Sequence, residues 1–134
     1  MVNMDSLKTK IFEEILKVVS EITNVSCSDI LSPKRDREVT EARSIFVWFC
    51  KVNGGCAKDV LAFINRKNIN CITELNTNYH SNYARYTMFR MMSDKISRIL
   101  PPKLKRVEEE EKERDLAEVI ANSMANSNPN EPTK

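Results

Sequence analysis

Apolar residues recur at helical spacing along most of this chain. In residues 7–23, Ile11, Phe12, Ile15, Leu16, Val19 and Ile22 share one face, which predicts an amphipathic helix capped by Asp5 or Ser6. Residues 25–31 offer Ser26 as the cap of one short turn carrying Ile30 and Leu31, and Ser32-Pro33 ends it. A third helix is expected over 38–52, bearing Val39, Ala42, Ile45, Phe46, Val47, Trp48 and Phe49. Its second half is apolar nearly all round, the pattern of a central core helix. Asn53-Gly54-Gly55 then stops it by left-handed C-cap chemistry.

Short helices over 57–64 and 69–78, joined by Asn65-Arg66-Lys67-Asn68, follow behind the core helix. That layout is a helix-turn-helix. A fifth long segment, 81–100, places Tyr83, Tyr86, Met88, Phe89, Met92, Ile96 and Ile99 on an apolar face, and Pro101-Pro102 is expected to end it. Residues 103–125 form a charged helical pattern with a thin stripe of Leu104, Val107, Leu116, Val119, Ile120 and Met124. The polar, Pro-containing residues 126–134 read as a disordered tail. The expected organisation is therefore a helical domain over 1–100, a charged amphipathic helix over 103–125 and the tail. With two Gly and no β-branched clusters bounded by turns, the fold class is all-α: a compact helical domain with a helix-turn-helix.

Composition narrows the function classes. No apolar run approaches a membrane span, and the first ten residues hold no signal-peptide apolar region. Cys27, Cys50, Cys56 and Cys71 show no CxxC spacing and lie in or beside apolar segments, so buried thiols in a reducing cytoplasm are expected rather than disulfides. His80 has no partner at metal spacing, and neither a metal nor another cofactor is expected. No Ser/His/Asp, Cys/His or paired-carboxylate arrangement supports an enzyme. The net charge of +2 hides an asymmetry. Residues 1–107 hold 18 Lys/Arg against 11 Asp/Glu, and residues 108–134 hold 3 against 8, so a +7 body carries a −5 end. A basic body suits a polyanion, and the acidic end can compete for the same surface.

The sharpest local signal is Lys34, Arg35 and Arg37 on a Pro-initiated loop joined to the core helix. Such a loop presents charge to a phosphate backbone at a fixed position, and one guanidinium can enter a minor groove while its neighbours grip phosphates. Arg43, further along the helix, can reach phosphate or pair with Glu38 or Glu41. On the candidate recognition helix, Arg66, Lys67, Asn68, Asn70 and Thr73 form the polar set, with Lys58 on the preceding short helix. Asn can pair with adenine and Arg with guanine, while Asn68 serves equally as an N-cap. Tyr79, Tyr83 and Tyr86 with Arg85 and Arg90 suggest a stacking platform for single strands, but spacings of three and four are those of a helix packing face. Met88, Met91 and Met92 suit gap-filling core or a partner surface.

The run from Val25 to Lys51, VSCSDILSPKRDREVTEARSIFVWFCK, resembles the start of the C-terminal DNA-binding domain of the bacterial replication initiator DnaA. That family's pattern, VS-x-x-DLLS-K-x-R-x-REV-x-EAR before an apolar helix, is met here by Val25, Ser26, Asp29, Leu31, Ser32, Arg35, Arg37, Glu38, Val39, Glu41, Ala42 and Arg43. The resemblance covers about residues 12–74. It implies a Trp-repressor-like helix-turn-helix and a double-stranded DNA partner. The family's G-R-D-H-[ST]-T-V motif aligns with residues 65–71, where Arg66 agrees and Lys67, Asn68 and Ile69 depart. No GxxxxGK[ST] motif occurs, so the initiator's ATPase machinery is not in this sequence. The expectation is a free-standing, non-catalytic DNA-binding protein acting in replication or transcription control. Its alternative is a protein-interaction module that kept the fold and lost DNA reading, docking or dimerising through residues 103–125.

Overall fold

Helix α3 (Arg37–Val52) runs through the centre of the molecule, with Val39, Ala42, Ile45, Phe46, Val47, Phe49 and Cys50 all buried. Around it the computed structural model, which describes residues 6–64, 66 and 70–126, places α1 (Ser6–Thr23), α2 (Cys27–Leu31), α4 (Ala57–Phe63), α5 (Asn70–Arg85) and α6 (Thr87–Asn126). The described residues are all-α. Phe12, Ile15, Val18 and Val19 carry the core face of α1. Phe63 packs edge-on to Phe12 at 5.5 Å and tilted on Phe46 at 5.7 Å, joining α1, α3 and α4. Such pairs add about 0.5–1.5 kcal/mol each beyond the area they bury.

The ends of the first three helices follow from their local sequence. Ser26 caps α2, its hydroxyl accepting from the Asp29 N–H at 3.1 Å. At the end of α3, Gly54 takes φ +94°, its N–H donates to Lys51 O, and the Gly55 N–H donates to Cys50 O. Those two bonds are the Schellman pattern, which satisfies carbonyls that the helix leaves open. Gly55 is needed for a second reason. A Cβ there would lie 2.5 Å from the Phe12 ring, so the chain passes against α1 only without a side chain.

The second half of the chain departs from expectation in two places. Helix α5 does not stop near Asn78 but continues to Arg85, and Tyr86 alone separates it from α6. No Gly or Pro lies between residues 70 and 100, so nothing local marks a boundary. A side chain from the next helix stabilises it instead. Arg90 Nε donates to Tyr83 O at 3.0 Å and its Nη2 to Ala84 O at 3.1 Å, capping the carbonyl end of α5.

The second correction concerns Pro101-Pro102, which lie inside α6 rather than ending it. Each proline removes a helical donor and costs about 3 kcal/mol in a helix interior. Packing offsets that cost. Phe89, Ile96, Leu100 and Leu104 are buried on one face, mainly against α1, and Lys10 Nζ meets Glu111 Oε1 at 2.7 Å beyond the prolines. Each such apolar side chain contributes about 1.5–3 kcal/mol. Residues 103–111 therefore belong to the same core as α1. On the expected apolar face, Tyr86 and Met88 are exposed. The expected tail, residues 127–134, and the candidate cap Asp5 lie outside the described residues.

Candidate nucleic-acid interface

The loop 33–36 and helix α5 lie side by side on α3. Ile72, Leu75 and Tyr79 bury one face of α5, while Asn70, Thr73, Glu74, Thr77 and Ser81 are exposed on the other. Between loop and helix opens a cleft of about 480 Å³, lined by Pro33, Arg35, Thr40, Arg43, Arg66, Cys71, Glu74, Leu75 and Asn78. The fold thus brings the cationic loop and the polar helix face, 34 to 48 residues apart in sequence, to one surface.

The cations of this region divide into two groups. Lys34, Arg35 and Arg37 are exposed. Lys34 Nζ lies 3.1 Å from Asp29 Oδ1 and Arg37 Nε 3.1 Å from Glu41 Oε2, contacts that water screens and that a phosphate can displace. The Arg37 guanidinium also lies 5.0 Å from the centre of the Tyr86 ring, and the Glu41 hydrogen bond holds its proton more firmly than usual. Arg35 has no ion-pair partner among the described residues.

Arg43 corrects a sequence expectation. It is 4% exposed and pairs with neither Glu38 nor Glu41. Its Nε donates to Ile30 O at 2.8 Å, and its Nη2 donates to Ser32 O at 2.5 Å and Asp29 O at 3.3 Å. These carbonyls are the open end of α2, where a cation is favoured. The residue is a structural clamp in this geometry, not a surface contact. Arg66 reaches the same Ser32 O from the other side, at 2.9 Å, and its Nη1 approaches the Cys71 sulfur. Burial, together with the charge of Arg66, lowers the Arg43 pKa from its usual value. Two guanidiniums without a carboxylate partner among the described residues therefore lie along the cleft, and their field is positive there.

The remaining candidates are distributed as follows. Lys58 is exposed on α4, beside Asp59, whose carboxyl is held below its usual range by hydrogen bonds from Lys8 and then Cys56. Asn70 and Thr73 open the exposed face of α5. Lys67 and Asn68, with Asn65 and Ile69, lie outside the described residues. Thr77, Ser81 and Glu74 were not singled out by sequence. Thr77 and Ser81 continue the face of Asn70 and Thr73 at helical spacing, a signal that appears once α5 is known to extend past Asn78.

The aromatic set packs as helix faces do. Tyr79 stacks on Trp48 at 4.6 Å, and its hydroxyl hydrogen-bonds Ser93 within the core. Tyr83 donates to Asp94 Oδ1 at 2.7 Å, and only Tyr86 of the three is exposed. His80 lies edge-on to Trp48. Among the described residues no cluster of His, Cys, Asp and Glu could hold a metal ion, and no helix is long and apolar enough to cross a membrane.

Residues 12–56 match the family model described as the bacterial DnaA protein helix-turn-helix. The match begins at Phe12 within α1, runs through α2, the basic loop, α3 and its glycine stop, and ends just before α4. No curated protein and no solved structure matches the chain. From α1 to the end of α3, with the loop that projects Arg35 and the clamp that fixes it, the chain is similar to the DnaA helix-turn-helix over about a third of its length.

Proposed function

We propose that this protein binds double-stranded DNA without catalysis, laying the 33–37 loop on the backbone and the exposed face of α5 in the major groove. The observation that carries the proposal is the single surface formed by the cationic loop, the Arg43–Arg66 pair in the cleft and the polar row Asn70, Thr73, Thr77 and Ser81. In this reading Arg35 enters the minor groove or grips phosphate, with Lys34 and Arg37 beside it and Lys58 on the flanking backbone. Asn70 and the two threonines read base edges, and Glu74 accepts from a cytosine amine rather than facing phosphate. Lys67 and Asn68, which precede α5 in the sequence, are proposed as further contacts, Lys67 on phosphate and Asn68 on a base edge or as a cap.

Arg43 acts at one remove, holding the loop to α2 while adding positive field. The biological setting proposed is control of replication or transcription in the cytoplasm, supported by the family of the matched segment. The test is binding of the full chain to a random duplex library at two salt concentrations. Affinity that falls steeply with salt, with a recovered sequence preference that shifts in Asn70→Ala, supports the proposal. No duplex affinity at low salt ends it. A second reading, a protein-interaction module, is favoured by one observation: Leu116, Val119 and Ile120 are exposed at the end of α6.

A further inference from the structure

Helix α6 has two faces of different character. One is buried through Phe89, Ile96, Leu100 and Leu104. At about 100° per residue, the nearly opposite face begins with Met88 and Met91, followed by Lys95 and Arg98. After Pro102 it continues with Arg106, Glu109 and Glu113, then Leu116 and Ile120. All of these are exposed, Met88 at 68% and Leu116 at 61%, which is far beyond ordinary surface contact for apolar side chains. None of the five charged residues has an ion-pair partner among the described residues. The face reads apolar, basic, acidic, apolar. Such an order is complementary to itself when reversed.

We propose that this face pairs antiparallel with the same face of a second copy, about a two-fold axis level with residues 103 and 104. Met88 then meets Ile120 of the second copy, and Met91 meets its Leu116. Lys95 faces its Glu113, and Arg98 its Glu109. The symmetry repeats every contact, as an isologous interface requires. Pro102 lies beside the axis and faces Arg106 of the second copy. A parallel pairing sets Lys95 against Lys95 and Glu113 against Glu113, which is repulsive.

The geometry of the monomer explains why the two apolar ends need a partner. Lys10, near the start of α1, is already paired with Glu111, so Leu116 and Ile120 stand beyond the helix that covers the rest of α6. At the other end Met88 and Met91 rim an open apolar groove of about 330 Å³ with Ile22 and Met92. The stripe of one copy fits the groove of the other, and its acidic flank meets the groove's Lys95 and Arg98.

Sedimentation velocity of the full chain, from micromolar to submillimolar concentration in low salt, should show a monomer–dimer equilibrium. Leu116→Glu with Ile120→Glu should raise the dissociation constant about a hundredfold or more, with helicity by circular dichroism unchanged. Charge reversal tests the register. Lys95→Glu with Arg98→Glu, and separately Glu109→Lys with Glu113→Lys, should each weaken self-association, and an equimolar mixture of the two variants should restore it. A chain that stays monomeric throughout overturns the proposal. So does a dimer that withstands Leu116→Glu with Ile120→Glu, or a mixture that fails to associate.

Discussion

Two sets of cations lie within one stretch of this protein and do opposite work. Arg43 is turned inward onto the Asp29, Ile30 and Ser32 carbonyls, and Arg66 joins it at Ser32, whereas Lys34, Arg35 and Arg37 point to solvent. All five are contact candidates when only the sequence is read. The difference lies in what surrounds each group: an open helix end draws a guanidinium in, while a screened carboxylate leaves it at the surface. The inner pair fixes the loop, and the outer three are displayed by it. A charge count cannot separate these roles, but substitution can.

The largest stability effect is expected at Arg43. Arg43→Ala removes three charge-assisted hydrogen bonds and leaves the α2 carbonyls unpartnered, so stability by urea denaturation should fall by roughly 3 kcal/mol. Arg43→Lys keeps the charge but not the forked donors and should recover only part of the loss. Arg66, half-buried and holding one of the same carbonyls, is intermediate. Arg66→Ala should cost about 1–1.5 kcal/mol and loosen the loop, so that stability and DNA affinity fall together. Arg37→Ala should leave the urea midpoint nearly unchanged, because its contacts are exposed, while still weakening DNA binding. An Arg37→Ala cost as large as that of Arg43→Ala breaks the inner–outer distinction.

The smallest effect is one of pH. Burial raises the Tyr79 pKa, despite the hydrogen bond to Ser93. The folded protein therefore holds this proton beyond the unfolded value of about 10. Its stabilisation is complete below pH about 10 and is lost as pH rises through the folded value. Urea midpoints between pH 9 and 11 should fall more in the wild type than in Tyr79→Phe.

Legibility in the sequence followed how local each cause is. Helices α1 to α3 were readable because their faces, the Ser26 cap and the Asn53-Gly54-Gly55 stop act within a few residues. The α5–α6 boundary was not, since it depends on Arg90 reaching back to Tyr83 and Ala84 where no Gly or Pro intervenes. Pro101-Pro102 misled for a related reason. Local chemistry says stop, but burial of Leu100 and Leu104 carries the helix through.

At the candidate interface the exposed loop was legible from charge, while residues 67–69, where the sequence departs from the family motif, lie outside the described residues. Thr77 and Ser81 depended on the true length of α5, and the inward turn of Arg43 on the carbonyl end of α2.

The central claim, that the outer cations grip duplex DNA while the inner pair holds the loop, is tested most directly by one titration. Duplex affinity is measured against salt concentration for the wild type and for Arg35→Ala with Arg37→Ala. The account predicts that the double variant keeps the wild-type urea midpoint, binds every duplex more weakly, and loses about two from the slope of log affinity against log salt. An unchanged slope, or a wild type that fails to bind at low salt, contradicts it.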